Sequence, residues 1–206
     1  MSTTRIRIIF GVLAAALAAV VVISVSSGDD TAKAAGTDRA FTSDMVPHHV
    51  SAVDMAEIAK QRSKRPEIQG LADDIISSQQ KEIEQMRGID ARLKDAGEPK
   101  GKLGASDSMM GMSMDTGSLK TAEPFDRAFI DMMIPHHQGA IVMSRIELER
   151  GADGEAKKLA EEIIAAQTRE IEQMNAWRKD WFGAASPAGG VPKAGEAGGP
   201  SGMPGM

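Results

Sequence analysis

All four histidines of this chain stand in two identical triplets, Pro47-His48-His49 and Pro135-His136-His137. Imidazole is the commonest metal-binding side chain. Methionines flank both triplets: Met45 and Met55 the first, Met132, Met133 and Met143 the second. Thioether beside imidazole suits copper, Cu(I) above all with Cu(II) possible, and does not suit magnesium or calcium. The alternative is that these histidines are core residues with ordinary hydrogen-bond partners. A duplicated segment copies a structural motif as faithfully as a functional one, so the second triplet is not wholly independent support.

The triplets must be positioned by helices. At about 100° per residue, Met133, His136, His137, Ala140 and Met143 fall within an arc of roughly 120°, one face of a helix. Met45, His48, His49, Ala52 and Met55 repeat that arc. Small Ala52 and Ala140 leave space for the imidazoles, and side chains from facing helices are a common source of metal ligands in a bundle core. Pro47 and Pro135 lie well inside the predicted helices, where each costs about 3 kcal/mol and frees a carbonyl four residues back, at Ser43 and Asp131. Either they kink the helix to aim the histidines, or each helix begins at its proline.

These faces belong to a long internal repeat. Residues 40–89 align with 128–177 at a constant offset, and 21 of the 50 positions are identical. Two copies are too few for a solenoid; two helical hairpins closing on each other are the simpler result. A first helix is expected over about 38–62. A second opens at Pro66 and runs to about 96. A long loop over 97–120 contains Met109-Met110-Gly111-Met112-Ser113-Met114. A third helix opens at Thr121 to Pro124 and ends near 150, and a fourth, capped by Asp153, ends near 182. Leu159, Ile163, Ile164, Gln167, Ile171, Met174 and Trp177 recur at helical steps, matched by Leu71, Ile75, Ile76, Gln79, Ile83 and Met86. The predicted architecture is all-α: a ferritin-like four-helix bundle of two repeated hairpins joined by a Met-rich crossing loop. The Gly/Pro/Ala-rich stretch over 183–206 is expected to be a disordered tail.

Met109, Met110, Met112 and Met114 follow no helical stripe and so are poorly explained as core. Flexible thioethers there can capture Cu(I); the alternative is low-complexity sequence. Glu82 and Glu170 lie at the edges of the buried stripes. They can hold the far ring nitrogen of a ligating histidine, or simply pair with Lys81 and Arg169 in solvent.

Composition narrows the chemistry. The chain has 206 residues, 3% aromatics, no Tyr and no Cys, so disulfides, thiolate sites and cysteine catalysis are excluded. A net charge of −5 argues against nucleic acid, which calls for a basic stripe. Arg5 and Arg7 precede an apolar run over 8–25, and Ala32-Lys33-Ala34 offers a small-x-small cleavage site. Residues 1–34 are therefore expected to be a signal peptide or membrane anchor, the only membrane link, with the remainder extracytoplasmic.

The stretch from Met133 through Pro135-His136-His137-Gln138-Gly139-Ala140 to Met143, with 160–171 and Met174, resembles the domain of unknown function 305 family. The resemblance covers about residues 38–182. It implies ferritin-like four-helix bundles, often exported, some of them periplasmic copper-binding proteins linked to copper resistance. It carries the family's histidine and methionine positions to Met45, His48, His49, Met55, Met133, His136, His137 and Met143. The first copy departs from the pattern: Val50-Ser51 stands where the second has Gln138-Gly139, and Asp44 stands where the second has Met132.

The expected function is extracytoplasmic copper binding without catalysis, for sequestration, resistance or transfer, with copper ions and another copper-handling protein as partners. A metal-free helical module of the envelope is the alternative. A di-iron oxidase is a third, but it needs Glu-x-x-His on facing helices, and the residues three before His48 and His136 are Met45 and Met133.

Overall fold

The computed structural model describes residues 28–193, with side chains from residue 36 onward. The expected N-terminal targeting segment lies almost wholly outside those residues. No helix among the described residues is long and apolar enough to cross a membrane.

Among the described residues four α-helices make up the fold: α1 (Gly28–Arg62), α2 (Pro66–Asp95), α3 (Phe125–Arg150) and α4 (Gly154–Phe182). No strand occurs among the described residues. The hairpins α1–α2 and α3–α4 close tightly, and α1 packs on α3 between them. Sequence punctuation accounts for most boundaries. Pro66 begins α2, where its missing N–H costs nothing. The Asp153 carboxylate accepts from the amides of Glu155 and Ala156 and opens α4. Gly183 closes α4 at φ +84°, a conformation natural to glycine.

Three boundaries depart from expectation. Helix α1 begins at Gly28, earlier than the start expected near residue 38; its Thr31-Ala32-Lys33-Ala34-Ala35 run is rich in the best helix former. The crossing loop is not wholly irregular, for a 3-10 turn spans Thr116–Lys120 and buries Leu119. Thr121 ends that turn instead of opening α3, which begins at Phe125 after Pro124.

The tail also differs in part. Residues 184–193 lie as a strap on α3 and α4, fastened by side chains. Gln138 donates to the carbonyls of Ala188 and Gly190, at 2.9 and 2.6 Å. Asn175 donates to Gly189, and Arg178 to Ala184. Gly/Pro/Ala composition misses this because the strap contributes backbone groups, mostly acceptors with the Ser186 amide as a donor to Asn175, while the bundle supplies the side chains. Arg178 also grips Asp131 of α3 through two hydrogen bonds of 2.6 and 3.0 Å.

The core falls into two apolar clusters. One contains Ala52, Met55, Ile68, Ile75, Phe129 and Met133; the other contains Phe41, Met45, Met86, Ala140, Met143 and Ile163. The N-terminal half of α1 thus shares a cluster with the C-terminal half of α3, and the converse holds. Antiparallel packing of α1 on α3 follows. At about 1.5–3 kcal/mol for each large apolar side chain, these clusters account for the bundle without a ligand.

Candidate metal centre

Between the two apolar clusters lies a layer of histidines. Pro47 and Pro135 are interior to α1 and α3, so neither helix begins at its proline. Each proline leaves its helix short of one hydrogen bond immediately before a histidine pair. The arc predicted for each helix faces inward: His48, His49 and His137 are 0% exposed and His136 is 1% exposed. Met45, Met55, Met133, Met143, Ala52 and Ala140 are buried as well.

Antiparallel packing brings the two triplets into one layer. The rings of His48 and His136 stack across the helix pair, with centroids 3.7 Å apart and planes tilted by 32°. Within each triplet the rings are wider apart, 6.1 Å for His48 and His49 and 6.3 Å for His136 and His137.

Hydrogen bonds assign the ring tautomers. His49 Nε2 lies 2.7 Å from Glu82 Oε2, and His137 Nε2 lies 2.6 Å from Glu170 Oε2. A carboxylate only accepts, so in each ring Nε2–H donates and a neutral ring keeps its lone pair on Nδ1. His136 follows the same logic through a hydroxyl. Ser51 Oγ donates to the His48 carbonyl at 2.8 Å, so its lone pair is left to accept from His136 Nε2 at 2.6 Å. Of the two readings for Glu82 and Glu170, the structure places them on the histidines and not on Lys81 or Arg169.

What remains is a set of buried nitrogens with nothing to bond. Nδ1 of His49, His136 and His137 and both nitrogens of His48 have no hydrogen-bond partner. Leaving such an atom unpaired costs about 1–3 kcal/mol. Gln79 and Gln167, buried one turn before the two glutamates, likewise have unpaired side-chain oxygens.

The electrostatics favour neutral imidazoles. Burial holds the pKa of His48 well below its ordinary value, His49 and His137 add repulsion, and nearby carbonyls of His136 and Met110 offset part of this. His136 is lowered in the same way, by burial first and then by His48, His137 and His49. Neutral imidazole is the metal-binding form.

Among the described residues, no three His, Asp or Glu side chains come together as a metal-holding group. The Met-rich loop is close at hand. Met110 is buried in the cluster that holds Met45 and Met143, and Met109, Met112 and Met114 are half-buried. A Cβ built on Gly139 would fall on the Met110 carbonyl, so only glycine there lets the loop seat against α3.

Sequence reasoning assigned no role to three residues: Ser51 and Gly139 beside this layer, and Glu147 near the C-terminal end of α3. Glu147 is fully buried on α3. Its pKa is pushed up to about 9 by burial and then by the adjacent Asp38 carboxylate. Asp38 in turn accepts from the amides of Ala152 and Asp153 at the α3–α4 turn. No periodic signal reports such pairings.

Comparison with known proteins decides the family. The profile of the "Domain of unknown function (DUF305)" family matches residues 38–178 and again 126–206. The chain belongs to the DUF305 family. Its fold resembles that of CopM in a Cu(II)-bound form, with 38% identity, a TM-score of 0.62, and coverage of 70% of this chain and 97% of that one. CopM has also been solved with Cu(I) and with Ag, at 37% and 36% identity to this chain. A DUF305 protein of Streptomyces coelicolor is 28% identical with a TM-score of 0.59, over 76% of this chain and 97% of its own. An uncharacterised protein of Acanthamoeba polyphaga mimivirus is 44% identical over 50 residues; the match spans 24% of this chain and 33% of that protein.

Proposed function

We propose that this protein binds copper, with Cu(I) favoured, outside the cytoplasm, and serves in sequestration, resistance or transfer instead of catalysis. The observation that carries the reading is the set of five buried ring nitrogens with no hydrogen-bond partner in the protein. A packing role alone would leave their desolvation uncompensated, at about 1–3 kcal/mol each. A soft cation bound through nitrogen lone pairs and thioethers compensates it. The ligands are drawn from His48, His49, His136 and His137, with Met45, Met55, Met133 and Met143. Glu82 and Glu170 orient two of the imidazoles from behind. Met109, Met110, Met112 and Met114 supply further sulfur.

The likeness to CopM, solved with Cu(I), Cu(II) and Ag, supports this choice of metal. The positive, apolar N-terminal segment supports export, as does the secreted-protein designation of the Streptomyces coelicolor relative. A domain division into targeting segment, bundle over 35–182 and tail belongs to the same proposal.

Titration with Cu(I) against a competing chelator, with thermal melting in parallel, tests the reading. Tight binding that raises the melting temperature is expected, because a ligand bound only by the folded state stabilises it. The decisive variant combines His136→Ala and His137→Ala in a chain lacking the Met-rich loop. Unchanged Cu(I) affinity in that variant would sink the bundle site.

A further inference from the structure

The two repeats correspond position for position, but the metal layer breaks that equivalence at one place. Ser51 in the first repeat corresponds to Gly139 in the second. Ser51 fills the space beside His136 with a hydroxyl 2.6 Å from Nε2. Gly139 contributes no side chain, and the Met-rich loop occupies the corresponding place, its Met110 and Gly111 backbone resting on α3.

Gly111 adopts φ +71°, and a Cβ built on it would lie 3.4 Å from His48 Nε2 and 3.4 Å from the backbone of His136. The loop therefore passes directly over the His48 ring. His48 is also the one histidine with neither nitrogen hydrogen-bonded. Met110 is 7% exposed and shares its cluster with Met45 and Met143. The opposite cluster, with Met55 and Met133, has Leu119 as its loop contribution and no loop methionine. Among the described residues, the loop methionines gather at the Met45 and Met143 end of the histidine layer, while the half-buried methionine at the other end, Met132, belongs to α3 itself.

We propose that the loop is the path by which Cu(I) reaches the buried histidines. Met109, Met112 and Met114 pass the ion to Met110, and Met110 passes it to His48. The proposal rests on the copper reading above. Each step is a ligand substitution: a Cu–S bond breaks as the next Cu–S or Cu–N bond forms. No electron moves, and the neutral imidazole offers a lone pair without releasing a proton. Gly139 is the notch that seats the relay. Ser51 closes the equivalent position at His136.

The test is stopped-flow transfer of Cu(I) from a chromophoric chelate to the full chain, with equilibrium affinity measured by chelator competition. Met110→Leu keeps the volume and removes the sulfur, a swap that cores tolerate. Both loading and release are expected to slow by about tenfold or more, well beyond what any loss of equilibrium affinity from the missing sulfur accounts for. The triple variant Met109→Leu, Met112→Leu, Met114→Leu should also load slowly. Wild-type rates in Met110→Leu would overturn the proposal. So would weaker affinity with faster release, which would make Met110 a resident ligand instead of a relay. If the wild-type chain showed no histidine-dependent Cu(I) binding, the copper reading itself would fail and the relay with it.

Discussion

The rings of His48 and His136 meet with centroids 3.7 Å apart and planes tilted by 32°, joining two helices at positions 88 residues apart. Their proximity and burial make simultaneous protonation unfavourable. This contact is therefore a point where acid acts on the apoprotein and where, on the proposed function, protons would compete with copper.

The sign of that effect follows from the direction of the shifts. Both folded-state pKa values lie well below 6.5. Once pH falls below 6.5 the unfolded chain binds protons that the folded chain refuses, and stability drops. The expected slope in this window is about 1–3 kcal/mol per pH unit for the two rings. Urea denaturation of the metal-free protein between pH 5 and pH 8 measures it. His48→Leu with His136→Leu should flatten the profile; an unchanged slope in that variant would assign the acid sensitivity elsewhere.

Glu82 and Glu170 provide a second prediction. Each accepts from the Nε2–H of a buried histidine and leaves Nδ1 free. Removing such a partner typically costs about 10–100-fold in metal affinity. Glu82→Ala and Glu170→Ala should each weaken Cu(I) binding by that order. Glu82→Gln and Glu170→Gln, which keep an acceptor oxygen, should lose less. Equal losses for Ala and Gln would indicate that charge, not ring orientation, is what the glutamates contribute.

Much of the bundle was legible because its signal is local. The histidine and methionine arcs, the stripes on α2 and α4 and the capping residue Asp153 all repeat over one or two turns, and the structure keeps them. Glu82 and Glu170 were half-legible: their edge position allowed a histidine or a solvent partner. Ser51 with His136 and Gly139 with Met110 could not be read at all. The first pairs residues 85 positions apart and depends on how α1 meets α3, which no helical period encodes. The strap over 184–193 was misread for a related reason, since its anchors are the side chains of Gln138, Arg145, Asn175 and Arg178, far from its own composition.

That strap should contribute to stability. Four side chains of the bundle, Gln138, Arg145, Asn175 and Arg178, donate to its carbonyls, and each net hydrogen bond is worth about 0.5–1.5 kcal/mol. Truncation after Gly183 is expected to lower stability by about 1–4 kcal/mol, with the helical circular dichroism spectrum retained. A melting temperature equal to that of the full chain would show that these bonds only replace equivalent ones to water.

Glu147 gives the opposite pH signature from the histidines. Its pKa rises from 4.5 unfolded to about 9 in the fold, because burial and the Asp38 carboxylate both favour the protonated acid. The folded chain therefore holds a proton that the unfolded chain releases above 4.5. Stability attached to this group is complete below pH 4.5 and declines as pH rises toward about 9. At pH 7 the accumulated cost is on the order of 3 kcal/mol. Glutamine is neutral at every pH and still offers a donor to Asp38. Glu147→Gln should accordingly match the wild type near pH 5 and exceed it increasingly at pH 7 and pH 9. Urea denaturation at the three pH values separates this from a packing effect, which would shift all of them alike. A Gln variant less stable than wild type at pH 9 would mean that the carboxylate, not the acid, is the form the fold uses.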